Sequence, residues 1–357
     1  MTSPSKTAVT NAQDPFSGDP GTDFIALPPD FILRTSDVVD FHVHRDILKL
    51  VSHFFHGMFS FPGGDSAPDQ LIRDGKPVLV LPESSEVLYR VLSLAYPPQS
   101  IAQYLVTCDY FDGLVAAHSA AHKYQFVGVQ KIMEEMLDDP ILLDAHPYRV
   151  FAIARLWGLP YVARKAALAT LKYPLSPTMP EFPEMELLPW ADANKLQRFH
   201  QSCGVAAREI VHGNCNSPGA TFMVPGCPKT FIVSVTDDTA LDASKVWAWW
   251  LPMHGTNCQV GIPQLVHVNL FTYSQTLLQS AVPWFRKHMT ELGFRLSLSP
   301  SPDVVADGRD IAAPERAVIN SCHTCACTAY TDLAVFLQKL KRDMEDCNDS
   351  IVRKYFE

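Results

Sequence analysis

The sequence predicts an α+β protein: a small β-sheet covered by helices in the N-terminal part, followed by a mainly α-helical C-terminal region. Three observations carry this. Phe31 and Leu33, then Phe41 and Val43, recur at period two on either side of Ser36-Asp37, which is hairpin spacing. Ile47, Val51, Phe54, Phe55 and Met58 then fall at helical spacing, so the strands run into a helix with one strongly apolar face. Five prolines (174, 177, 180, 183 and 189) mark a linker, beyond which the patterning is mostly helical.

Taken in order, residues 1–22 are rich in Ser, Thr, Pro and Asp and read as a disordered tail. An α/β domain is expected over 23–137. Within it, residues 62–76 form a Gly/Pro/Asp-rich loop, and Val78 to Val80 suggest a short buried strand. Ser84 or Ser85 can cap a helix whose face is Leu88, Val91, Leu92 and Ala95, and Tyr96-Pro97-Pro98 ends it. Two further faces follow, one of Leu114, Ala117, Ala121 and Tyr124, the other of Val129, Ile132, Met133 and Met136.

Residues 138–173 read as a helical extension broken at Gly158-Leu159-Pro160, and 174–189 as the Pro-rich linker. In the C-terminal domain, 190–357, helices are expected over 190–212 and 241–254 and a strand over Thr230–Val235. A long helix is expected from Leu265 to Leu292, kinked at Pro283, then a loop over 298–317 and a charged helix over 328–356.

Bulk composition narrows the function. The chain has 357 residues, 47% of them hydrophobic and 19% charged, the balance of a packed globular protein. A net charge of −9, with no basic run longer than Lys341-Arg342, argues against nucleic acid and anionic membranes as partners. No stretch of about 18 apolar residues is present, so no membrane-spanning helix is expected. Without a secretory signal the nine cysteines are expected to stay thiols, in cytoplasm, nucleus or both.

The motifs of common enzyme sites are absent: no G-x-S-x-G, HExxH, phosphate-binding G-x-x-x-x-G-K-[ST] or G-x-G-x-x-G. Eight of the nine cysteines lie after residue 200. Cys322, Cys325 and Cys327 form a C-x-x-C with an extra Cys, and thiolates at that spacing can bite one zinc ion. A structural site needs four ligands; Cys203, Cys215 and His212 are candidate distant partners, and Cys227 is another. The spacing matches no standard finger, so the sequence ranks unlinked thiols, and no cofactor, ahead of a structural zinc. A thiol-redox C-terminal domain is a further alternative, weakened by the lack of a βαβ context. The cluster Trp247-Ala248-Trp249-Trp250 reads as packing, with Trp284 and Phe285 as partners, ahead of a recognition patch.

At Asp30 the string D-F-I-L-R-T-S-D-V-V-D-F-H-V-H-R-D-I-L, followed by S-H-F-F-H-G-M-F at 52–59, resembles the opening of the BTB/POZ domain. In that family two strands lead into F-x-x-H-R-x-x-L and then S-x-x-F-x-x-M-F on the next helix. The later pieces arrive in order: a Val-rich strand ending Leu81-Pro82-Glu83, a helix ending Leu94-Ala95-Tyr96-Pro97, and A-A-H-K-Y-Q-F-V-G-V at 120–129, similar to A-D-K-Y-x-x-x-x-L. The resemblance covers about a third of the chain. With helices and a proline-rich segment directly behind, it is most similar to BTB proteins of mushroom-forming fungi.

The resemblance implies a non-enzymatic protein that binds other proteins and itself. BTB domains often dimerise through their first strand and first helix, and the Asp and Arg that some carry at that interface correspond to Asp30 and Arg45; an ordinary intrachain pair is the equal alternative. Docking to a cullin-3 ubiquitin ligase is also implied, but the hydrophobic-x-Glu motif of such adaptors has no counterpart, since residues 59–77 contain no glutamate. His42 and His44 share a strand face as metal ligands would, yet His44 matches the family's usual His, so a hydrogen-bonding role is expected.

Overall fold

Apolar residues at period two cannot hide a sheet face by themselves, and in the computed structural model the helices that follow do so. The model describes residues 8–18, 27–61, 71–96, 111–175, 181–212, 248–250, 254–255, 258, 282–305 and 311–357. The chain divides into two units, Met1–Asp139 and Pro140–Glu357. The loop expected over 62–76 lies partly outside the described residues, and the strand expected at Thr230–Val235 lies wholly outside them.

The first unit is mixed α/β. Its five strands are β1 (Thr10–Asn11), β2 (Phe31–Arg34), β3 (Val39–Val43), β4 (Ile72–Arg73) and β5 (Lys76–Val80). They lie in the order β1-β3-β2-β5-β4. The hairpin β2–β3 is antiparallel, with Ile32 opposite His42 and Leu33 opposite Phe41. β5 runs parallel to β2, a pairing that needs the crossover made by helices α1 (Arg45–Val51) and α2 (His53–Ser60). Helices α3 (Ser85–Ala95), α4 (Leu114–Lys123) and α5 (Val127–Met136) follow. Ile32, Leu33, Phe41, Val43, Leu48, Phe55, Leu92, Leu114 and Ala121 are each 2% exposed or less and lie in the core.

Caps set the helix ends. The Ser52 hydroxyl accepts the Phe55 N–H at 3.1 Å and donates to the Tyr124 carbonyl at 2.6 Å, tying the start of α2 to the end of α4. His42 and His44 do not converge on a ligand. The His44 ring donates to the Leu27 carbonyl at 2.7 Å, while His42 lies 3.4 Å from the Lys76 ammonium.

Of the stretch expected to be a disordered tail, residues 8–18 are described, and residues 10–16 are built into the sheet. Thr10 donates to Val38 and Ala12 to Asp40, and His42 donates to the Phe16 carbonyl, so residues 10–16 cover the outer edge of β3. Phe16 anchors this segment, with its ring 5.1 Å from Tyr96 and 5.9 Å from Phe41. A single aromatic in a Ser/Pro/Asp-rich context gives no periodic signal. It is nonetheless only 1% exposed.

One charge is sealed in this unit. Asp40 has a side chain 0% exposed and takes a bidentate pair from Arg34 at 2.6 and 2.8 Å, with Arg73 on its second oxygen. Burial pushes the carboxyl up, but the hydrogen bonds of Arg34 and Arg73 outweigh it and hold the group below the usual 3.8. A depressed folded value means the contribution is complete above the unfolded value and disappears as pH falls through the folded one. Unfolding of the first unit should therefore become easier below about pH 4, and Asp40→Asn should flatten that acid limb. Urea midpoints between pH 2 and 6 that are parallel for both proteins would contradict this.

Among the described residues the second unit is helical: α6 (Pro140–Ala145), α7 (Pro147–Leu156), α8 (Pro160–Thr170), α9 (Pro183–Leu187), α10 (Trp190–His212), α11 (Pro283–Leu298), α12 (Ala313–Ser321) and α13 (His323–Phe356). Five of these open on proline, whose missing N–H costs nothing in the first turn. This corrects two expectations. Pro183 starts α9 inside the expected linker, where buried Glu184 pairs with Arg149 at 2.6 Å. Pro283 starts α11 and does not kink a longer helix; residues 265–281 of that expected helix lie outside the described residues. The loop expected over 298–317 contains a 3-10 turn at Pro302–Val304 and the start of α12.

The long helix α13 buries Leu333, Leu337, Leu340, Met344, Cys347 and Ile351, spaced alternately four and three residues apart as a single stripe. Where α10 meets the end of α11, Gly204 is required: a Cβ there would sit 2.7 Å from the Ser297 carbonyl oxygen. Gly204→Ala should thus destabilise by about 1–3 kcal/mol despite alanine's better helix propensity. A denaturation curve showing equal or greater stability would refute this packing.

Candidate metal centre

Four buried side chains of the second unit meet at one point: His254, Cys258, Cys322 and Cys325, whose ligand atoms all lie within 4.8 Å of one another. Cys322 is the N-cap of α13, and Cys325 stands three residues on, so one helical turn brings both sulfurs to the same side. His254 and Cys258 come from the segment after the 3-10 turn Ala248–Trp250. That turn is docked on α13, since the Ala248 N–H donates to buried Asp332 at 2.9 Å.

Three of the six edges between the ligand atoms suit a tetrahedral ion. Zinc bonds of about 2.3 Å to sulfur and 2.0–2.1 Å to nitrogen imply S···S edges near ~3.8 Å and S···N edges near ~3.5 Å. Cys258 and Cys325 Sγ are 3.9 Å apart, and His254 Nδ1 lies 3.6 Å from Cys322 Sγ and 3.4 Å from Cys325 Sγ. Two N–H groups point at the sulfurs from outside the cluster. Gly255 donates to Cys322 at 3.3 Å, and the Trp284 indole donates to Cys325 at 3.4 Å.

The thiols are not equivalent. Burial raises Cys322, but the backbone N–H groups of Cys325 and Gly255, with His254, outweigh it and bring it down to about 6. Burial pushes Cys325 up to about 11, against the Trp284 N–H, and holds Cys258 well above its ordinary value. Binding a cation here would take the remaining protons from Cys325 and Cys258, since thiols ligate as thiolates. This buried His/Cys3 cluster can bind a metal ion such as zinc.

Of the cysteines the sequence singled out, the structure brings Cys322 and Cys325 together and leaves two elsewhere. Cys327 is exposed on α13, because two residues further along a helix is the opposite face. Cys203 is buried on α10, its thiol pushed up by burial with Cys347 as its electrostatic neighbour. Cys215 lies outside the described residues, as do Cys108 and Cys227. The sequence reading missed His254 and Cys258. Their signal was an H-x3-C spacing, tight enough to be the second half of a four-ligand site.

Asp30 and Arg45 are neighbours within one chain. Asp30 accepts the Arg45 backbone N–H at 2.9 Å at the start of α1, and the Arg45 guanidinium lies 5.1 Å from the Phe31 ring centre and 5.6 Å from that of Phe59.

No protein-family model matches the chain, and no curated protein matches it. Among the described residues no helix is long and apolar enough to cross a membrane.

Proposed function

We propose that the chain is a non-catalytic protein-interaction protein whose second unit is built around a structural zinc ion held by His254, Cys258, Cys322 and Cys325. The convergence of four buried N/S donors within 4.8 Å of one another is the observation that carries the zinc assignment. All four positions are filled by protein, which leaves no open site for water or substrate and favours a structural over a catalytic ion. Elemental analysis of the purified full chain should give one zinc per chain. Less than half an equivalent would end the assignment.

A second reading concerns the first unit, which we take to be a BTB/POZ-type self-association domain. It is supported by the order hairpin, helix, helix, parallel strand, helix, the order in which the resembling motifs fall. Asp30 and Arg45, at the junction of β2 and α1, are the candidate interface residues, and further partners are other proteins. Light scattering at tens of micromolar should give twice the chain mass of 39.7 kDa. A monomeric mass would remove the self-association reading and leave the zinc reading standing.

A further inference from the structure

We infer that Trp284 is a positioning residue of the metal centre, its indole N–H compensating the surplus charge of the thiolate-rich site and so setting how tightly the metal is held. The inference rests on the zinc reading above and goes beyond the four ligands. Three thiolates and one neutral imidazole around a dication leave one net negative charge. All four ligands are buried, and a buried charge is costly unless donors face it.

Among the described residues three N–H donors do so. Those of Gly255 and Cys325 are backbone, present whatever the side chain. The Trp284 indole is a side-chain donor with no acceptor capacity, and its N–H meets the Cys325 sulfur at 3.4 Å. Its ring is only 3% exposed and is held edge-on by neighbours, with centroids 6.3 Å from Trp249 and 5.8 Å from Phe285. The aromatic cluster thus aims the N–H at the sulfur without help from the ion. That is the arrangement by which outer groups orient and tune metal ligands. Packing alone would be served as well by a ring lacking the N–H.

The test uses the full chain reconstituted with cobalt(II), whose tetrahedral thiolate complexes absorb visibly and show a sulfur-to-cobalt charge-transfer band. Wild type should show both features. Trp284→Phe should keep the tetrahedral visible bands but move the charge-transfer band to lower energy, because a thiolate without its donor gives up electron density more easily. Its zinc affinity, measured by competition with a chromophoric chelator, should fall by about 10-fold or more. Benzothienylalanine at position 284 keeps the bicyclic outline and replaces N–H by sulfur. It should reproduce both changes, and it decides the question if the phenylalanine variant does not fold. A wild-type chain lacking the tetrahedral cobalt spectrum overturns the zinc reading itself. A normal wild-type spectrum, with band position and affinity unchanged in the benzothienylalanine protein, overturns the role of Trp284 alone.

Discussion

Stripping the metal with a strong chelator, or replacing Cys325 by serine, should lower the stability of the second unit by about 4 kcal/mol or more. The estimate comes from chain entropy: an ion joining Cys258 to Cys322 closes a loop of about 64 residues, and a cross-link of that size removes roughly 4 kcal/mol of freedom from the unfolded chain. Ligand bonds absent from the unfolded state add to this. The closed loop contains α11 and α12, so both are released into a longer tether when the link is cut. Urea unfolding of wild type with and without chelator measures the effect. The Cys325→Ser protein should start low and show no further response to chelator. A wild-type curve that ignores the chelator would mean that the four donors hold nothing.

Trp249→Ala should cost about 3–5 kcal/mol, the range for deleting a large buried aromatic. Trp249 is 1% exposed and stacks on Phe285 with 4.2 Å between ring centres and 7° between planes. Trp284 and Phe336 close the cluster edge-on. The Trp249 carbonyl also accepts the Val282 N–H at 3.3 Å, so the residue joins the segment leading to His254 and Cys258 to the start of α11. In a unit of this size such a loss should lower the melting midpoint by roughly 10 °C. A variant melting like wild type but failing to bind a partner would turn the cluster from core into recognition surface.

Much of the first unit was legible in the sequence, because its elements are written in local periods: two for the β2–β3 hairpin, about 3.6 for α1–α5. Cys322 and Cys325 were legible for the same reason, as neighbours on one helical turn. His254 and Cys258 were not. Their H-x3-C spacing is a local signal, but a site whose halves are about 64 residues apart is specified by packing, and the spacing alone does not say which distant pair it meets. The prolines misled in a consistent direction. Proline forbids a helix interior but suits a first turn, so Pro183 and Pro283 open helices where a break or kink was expected. Phe16 illustrates a third limit, since one well-placed ring ordered a segment whose composition looks unstructured.

The sheet of the first unit ends on both sides in strands of only two residues, β1 and β4. Short rims of this kind give a passing chain few free amides and carbonyls to pair with, which suppresses edge-to-edge aggregation. The segment around β1 is the more consequential guard, because it pairs with β3 from Val39 to His42. A chain cut back past Phe16 would lay Val39–Val43 bare as a sticky template. The first residues thus act as a bumper against fibre-like growth along β3.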